Sequence, residues 1–257
     1  MNKNKSFLTD IPSHNHIEPA LEIDKKEFIK TIHSRRSVRV FTGEDINPND
    51  IQECLDLALL APTSSNLQCW EFYWIKDTFK KEKLKEYCLN QSAAKTAKEL
   101  IVCVARIDTW KNNKNKIINL LKSNNSTSKS SIKYYEKIVP IAYNQGLFGF
   151  LGIIKKILIF AIGLFRSIPR EPTSISDMRV WAHKTTALAC ENLMLAIRAY
   201  GYDSCPMEGM DSKRIKKMLN LPSKAEVCMV ISIGKRAKNG VYNDRFRLDR
   251  NNFIKII

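Results

Sequence analysis

Three arginines fall within five residues, Arg35, Arg36 and Arg39, around the hydroxyl of Ser37. Guanidinium groups hold phosphate oxygens by forked, charge-assisted hydrogen bonds, so this cluster has the chemistry of a phosphate site. One short helix pattern later the chain reads Ala61-Pro62-Thr63-Ser64-Ser65-Asn66-Leu67-Gln68-Cys69-Trp70. The hydroxyls of Thr63, Ser64 and Ser65 and the amides of Asn66 and Gln68 supply donors and acceptors for the edges of a flat, polar ring. Taken singly, the first cluster reads as a solvated basic run and the second as a helix-ending loop. Paired, they suit a phosphorylated planar ligand.

The elements that must position these groups follow from periodicity. Asp24 with Glu27 three residues on is a capping-box-like start for a helix carrying Phe28, Ile29 and Ile32 on one face and ending at the arginines. Asn47 as N-cap and Pro48 at the first helical position open a second helix that buries Ile51, Cys54, Leu55, Ala58 and Leu59, and Pro62 stops it. Trp70, Phe72 and Trp74 alternate with Glu71 and Tyr73 as in a strand, the aromatics serving the core. Leu100 to Val104 and Val227 to Ile233 are short apolar runs rich in β-branched residues, the mark of central strands covered on both faces. The cover is expected from a helix starting near Ser176 or Asp177 and running to Tyr200. Its stripe is Thr185, Leu188, Ala189, Asn192, Leu193, Ala196 and Ala199, and Gly201 stops it. Asp211 caps a shorter helix that ends near Pro222.

In order, spacing and residue type, Arg35-Arg36-Ser37-Val38-Arg39-Val40-Phe41 and the run from Ala61 to Trp70 resemble the opening of the FMN-dependent nitroreductase family, NAD(P)H-dependent flavin oxidoreductases. Cys69 stands where that family carries proline, and Thr63 where it carries serine. Ser204-Cys205-Pro206-Met207-Glu208-Gly209, the Val227 to Ile233 strand and Asp244-Arg245-Phe246-Arg247 then follow in the family's order, and Asn90 matches a flavin-contacting asparagine. The likeness covers residues 28–106 and 176–254.

This resemblance implies an α+β, nitroreductase-like fold: a central mixed β-sheet flanked by helices, with a helical and loop insertion. It implies FMN as cofactor, NADH or NADPH as electron donor, and an obligate homodimer in which each flavin pocket borrows residues from both chains. Arg35, Arg36, Ser37, Arg39, Arg245 and Arg247 would hold the phosphate and ribityl end. Ser64, Ser65, Asn66 and Gln68 would reach a flavin across the dimer interface, Asn90 would contact it, and backbone amides in the stretch Pro206, Met207, Glu208 and Gly209 would face its N5 side. The flavin carries the electrons in such enzymes, so no catalytic side chain is expected. His183 is read as a hydrogen-bonded structural or interface histidine, and Cys205 is given no role in catalysis.

Composition bounds the rest. With 257 residues and 44% hydrophobic content the chain can bury one substantial core, read as a single domain over 1–257 with an insertion at about 107–175. The seven cysteines are scattered, odd in number and without a C-x-x-C pair, which argues against a disulfide framework or a metal site and for a reducing compartment. The N-terminus is polar and charged up to Lys30, with no apolar core of a secretory signal, so cytoplasmic placement is expected. No G-x-G-x-x-G or Walker A motif appears, and Gly146, Gly149 and Gly152 are flanked by Leu, Phe and Ile, unlike a phosphate loop. The nicotinamide donor would then lack a domain of its own, and the family resemblance implies that it alternates with substrate over one flavin face.

The insertion has two unlike parts. Asn112 to Lys133 is a Lys, Asn and Ser tract for which a mobile loop or disorder is expected. Gly146 to Phe165 is as long as a membrane span, which needs roughly 20 apolar residues. Lys155 and Lys156 at its middle oppose spanning, at on the order of 2.5 to 3.5 kcal/mol each. Two readings carry equal weight, and a single spanning helix comes third: an interfacial helix on the inner, anionic membrane face with Lys155, Lys156 and Arg166 reaching headgroups, and a lid or arm over the active site or a partner subunit. The net charge of +16 would also suit nucleic acid, but few aromatics lie near the basic tract to stack on bases, and none is expected to bind.

The leading functional expectation is hydride transfer from NAD(P)H through flavin to a nitroaromatic, quinone or similar small-molecule acceptor. Alternatives are a specialised flavoenzyme of the same fold, such as a dehalogenase or lipophilic quinone reductase, and a non-enzymatic basic peripheral membrane or nucleic-acid-binding protein.

Overall fold

The computed structural model describes residues 18–124 and 129–257. Element order is α1 (Lys25–Ser34), α2 (Pro48–Ala58), β1 (Trp70–Trp74), α3 (Thr78–Tyr87), α4 (Ser92–Thr96), β2 (Glu99–Arg106), α5 (Trp110–Ser123), α6 (Lys129–Lys133), α7 (Val139–Tyr143), α8 (Phe150–Ile162), α9 (Ile175–Ala199), β3 (Asp203–Met207), α10 (Ser212–Met218) and β4 (Ala225–Gly234). The reading of the N-terminal stretch as free of a secretory signal falls largely on residues outside the described set.

The strands form one sheet in the order β1-β2-β4-β3. The two apolar runs, β2 and β4, are its central strands, paired from Glu99↔Ile233 to Arg106↔Ala225 with a register shift between Cys103 and Val104. All three strand pairings are antiparallel. The expected mixed character is thus confined to one isolated parallel bridge, Ser37↔Ser204, outside the four-strand ladder.

Period-two alternation sends β2 side chains to opposite faces. Ile101 and Cys103 pack with Ile51, Cys54, Leu193 and Ile197 of α2 and α9, whereas Leu100, Val102 and Val104 pack with Leu84, Ala94 and Ile215 of α3, α4 and α10. A fully buried Leu or Ile of this kind stabilises by about 1.5 to 3 kcal/mol relative to exposure. The caps are as expected. Asp24 accepts from the Lys26 and Glu27 amides, Asn47 from Asn49 with Pro48 behind it, and Asp211 from Arg214. Ser174 caps α9, and Gly201, with a φ of 88°, follows its end.

Two expectations about the insertion change. The Asn112 to Lys133 tract is not a loop over its first part, because Trp110, Ile117 and Ile118 recur at helical spacing and are buried, so α5 forms with its lysines outward. Residues 125–128 of that tract lie outside the described residues. In α8, Lys155 does not reach outward; its ammonium donates to the carbonyls of Ala142 at 2.9 Å and Pro172 at 3.3 Å. Burial pushes its pKa below the ordinary lysine value. No single helix among the described residues is long and apolar enough to cross a membrane.

Candidate functional site

The chain leaves α1 at Arg35 and is laced to the sheet at once. Ser37 bridges Ser204, the Val38 amide donates to the Ser204 carbonyl at 3.1 Å, and the Arg39 amide to the Gly240 carbonyl at 2.7 Å. Farther on, the Thr42 amide donates to Lys235. These bonds bring the early and late basic residues to one cleft of about 460 Å³, lined by Arg35, Arg36, Ser37, Arg39 and the run from Val241 to Arg247. Arg36 donates to the Asn243 carbonyl at 2.6 Å and Arg245 to the Arg35 carbonyl. The Arg39 guanidinium lies 5.6 Å from the centre of the Tyr242 ring.

Five guanidiniums in one cleft repel one another. Partial desolvation, then the positive charges of Arg36, Arg247 and Arg35, push Arg245 below the ordinary arginine value. A bound dianion would relieve that repulsion, so the donor set fits a phosphate monoester.

The cleft sits at the start of edge strand β3. At the far end, the Gln91 amide donates to the Gly209 carbonyl at 2.7 Å and the Asp211 amide to the Tyr87 carbonyl at 2.7 Å, which draws the Asn90 turn beside Glu208 and Gly209. Asn90 has a left-handed φ of 54°, and Asn90, Glu208 and Gly209 are exposed. At about 3.3 Å per residue, the ends of β3 stand roughly 13 Å apart. A phosphate, a sugar-alcohol chain and a ring system can therefore lie along it.

The second predicted cluster is elsewhere. Ser64, Ser65 and Asn66 form a tight turn ahead of β1, on the opposite edge of the sheet from β3. At about 4.8 Å per strand, these edges are separated by roughly 14 Å or more, and the lining of the arginine cleft includes no residue of this turn. Ser65, Asn66 and Gln68 take left-handed φ values of 53°, 49° and 46°. The Thr63 hydroxyl accepts from the Gln68 amide at 3.1 Å, and Asn113 of α5 donates to the Leu67 carbonyl at 2.9 Å. Cys69 is buried behind the turn, its pKa pushed up to about 12 mainly by burial.

Sequence reasoning missed what holds this turn. Tyr143 meets the Ser64 hydroxyl at 2.9 Å, Tyr134 the Ser65 hydroxyl at 2.7 Å, and Tyr135 donates to the Ser65 carbonyl at 3.0 Å. All three tyrosines come from the insertion; their crowding within 134–143 was the available signal. Gln91, next to Asn90, was also missed. So was the ion cluster behind the arginine cleft, where buried Asp203 is held by Arg198 at 3.0 Å and by Arg236.

His183 is hydrogen-bonded as expected, its Nε2 2.9 Å from Glu226 on β4. Bonding to Cys228 and Glu226 raises its pKa against the opposing effect of burial. Burial also raises the Cys205 thiol pKa, which fits a residue outside catalysis. No group of three or more His, Cys, Asp or Glu able to hold a metal occurs among the described residues.

Comparison with known proteins adds lineage to geometry. The chain is 27% identical to protein DrgA of Synechocystis sp. over 81% of this chain and 83% of that protein. It is 24% identical to an NADH dehydrogenase of Thermus thermophilus over 84% and 90%. Among solved structures, a nitroreductase-like protein of Streptococcus mutans superposes with a TM-score of 0.68 at 24% identity, covering 90% of this chain and 98% of that one. A protein of Exiguobacterium sibiricum solved in complex with FMN does so with a TM-score of 0.61 at 23% identity, covering 93% and 99%. The model of the Nitroreductase family matches residues 32–235, and the chain is a member of that family.

Proposed function

We propose that this chain is an FMN-dependent oxidoreductase that takes hydride from NADH or NADPH, passes it to a small-molecule acceptor such as a nitroaromatic or quinone, and works as a homodimer in a reducing, cytoplasmic compartment. The observation that carries the reading is the pairing of five guanidiniums at one end of β3 with the exposed Glu208 and Gly209 backbone at the other. Relatives named as an NADH dehydrogenase and solved with FMN support it. When bound, the flavin would supply hydride acceptance and delivery.

The chain's own residues do the holding. Arg35, Arg36, Arg39, Arg245 and Arg247 neutralise the phosphate, and Ser37 adds a hydroxyl donor. Backbone at Pro206 to Gly209 and the Asn90 side chain line the ring end. Ser64, Ser65, Asn66 and Gln68 stand at the opposite sheet edge and serve the partner's site. Dimerisation is supported by α1, which has no buried residue and exposes Phe28, Ile29 and Ile32, and by the exposed Val180 and Leu188 of α9.

An absorption spectrum of the purified protein tests the reading. A flavin band bleached by NADH or NADPH is expected. Colourless protein that cannot be reconstituted with FMN overturns it.

A further inference from the structure

The helix α8 is docked by one face only. Gly152 lies so close to Thr173 and Gln145 that a Cβ there would meet the Thr173 carbonyl, and Lys155 spends its charge on the carbonyls of Ala142 and Pro172. Arg170 folds back onto the Ile159 and Gly163 carbonyls and closes the C-terminal end. The opposite face carries Phe150, Ile153, Ile157, Phe160 and Leu164 at alternating spacings of three and four, all between 61% and 66% exposed. Phe148 and Phe165 flank the stripe at 93% and 89% exposure.

We propose that this stripe is the membrane-seated face of a monotopic arm, lying in the headgroup and acyl boundary of an anionic bilayer. Charge selects this occupant. From Lys137 to Arg170 the chain contains Lys137, Lys155, Lys156, Arg166 and Arg170 and not one Asp or Glu. A stripe with this spacing could also pack on a second copy of itself, but helix pairs of that kind match acidic with basic flanks, and here like charges would face each other. An anionic lipid surface complements the same flanks, with Lys156 and Arg166 exposed beside the stripe.

Size and anchorage oppose spanning, although the bent pair Lys129–Tyr143 and Leu147–Ile162 is together long and apolar enough for a broken span. A helix of 13 residues rises about 20 Å, short of the roughly 30 Å hydrocarbon core. The helical stretch before it, Lys129–Tyr143, is bent from it by 65° and is tied to the sheet-edge turn through Tyr134 and Tyr143. With Lys155 withdrawn, nothing charged stands on the stripe itself.

The test uses the full-length protein and phosphatidylcholine vesicles with or without phosphatidylglycerol. Co-sedimentation with the anionic vesicles, weakened by salt, is expected. The variant Ile153→Ser/Ile157→Ser/Phe160→Ser should lose binding by roughly tenfold or more while keeping its melting temperature and its flavin content. If that variant fails to fold, Phe148→Ser/Phe165→Ser, altered only at the most exposed positions, should show the same loss. Absence of vesicle binding by the parent protein overturns the proposal. So does binding that survives both variants, resistance to extraction at alkaline pH as for a spanning helix, or higher oligomers in vesicle-free solution that the substitutions dissociate. Vesicle binding and melting temperature do not depend on flavin, so the membrane face and the proposed activity fail separately.

Discussion

Arg236 grips Asp203 through both carboxylate oxygens, Nη2 to Oδ1 and Nε to Oδ2, the latter at 3.2 Å, while its Nη2 also donates to the Ser34 carbonyl at 3.2 Å. One side chain thus fastens the end of α1, the start of β3 and the segment after β4. Asp203 is only 4% exposed, and Arg198 braces it from α9. Removing Arg236 leaves Asp203 with Arg198 alone, so the cost falls short of the roughly 3 to 5 kcal/mol of a buried charge left wholly unpaired. Arg236→Ala is expected to lower stability in denaturant melts by less than that and to loosen the arginine cleft. Asp203→Asn/Arg236→Met, which removes both charges, should recover part of the loss.

The cleft itself is tested by separating phosphate from ring. Charge-assisted hydrogen bonds contribute about 1.5 to 3 kcal/mol, so Arg36→Ala or Arg245→Ala should weaken FMN binding roughly 10- to 100-fold. Riboflavin, which lacks the phosphate, should bind parent and variant with similar affinity. Fluorescence titration with both ligands gives the comparison, and equal losses for both would show that the arginines act on the fold instead.

The proposed sharing of sites between subunits predicts complementation. Arg36→Ala spoils the phosphate cleft of its own chain, whereas Ser65→Ala/Asn66→Ala spoils the turn offered to the neighbour. A dimer assembled from one chain of each kind holds one doubly damaged site and one intact site. Mixing the two variants by unfolding and refolding, at an FMN concentration that loads only intact sites, should therefore restore turnover at about half of the heterodimer's sites. Activity that stays at the level of the separate variants would mean that each chain builds its site alone.

The His183 and Glu226 pair gives a pH signature. The His183 pKa is raised above its ordinary 6.5, so its contribution to stability is full below 6.5 and is lost as pH rises through the higher folded value. Glu226, paired with Arg179 and His183, is lowered from 4.5 despite burial; its contribution is present above 4.5 and is lost as pH falls through the folded value. His183→Gln should flatten the fall in melting temperature as pH rises above 6.5 and leave the acid limb in place. Thermal melts across that range read both limbs.

Local signals carried the fold further than the site. The β-branched runs of β2 and β4 announced central strands because both faces had to be apolar, and Asp24, Asn47 and Asp211 announced helix starts because each caps its own first turn. The α5 helix escaped because Lys and Asn dominate its composition, while Trp110, Ile117 and Ile118, which fold it, are sparse. Lys155 was misread for a related reason: which way a mid-helix lysine turns is decided by the carbonyls of Ala142 and Pro172, and the helical pattern says nothing of them. The arginine cleft was legible only as two separate basic clusters about 200 residues apart in the chain. Contacts such as Ser65 to Tyr134, 69 residues apart, leave no periodic trace at all.

That last contact carries an asymmetry of ownership. If the Ser64 to Asn66 turn serves the opposite protomer's cofactor, the tyrosines that hold it make each insertion a caretaker of the other subunit's chemistry. A lesion in the Tyr134 to Tyr143 stretch would leave its own chain's phosphate cleft sound and silence its neighbour's. A dimer mixed from one damaged and one normal chain would then be one in which the intact chain, not the altered one, carries the idle site.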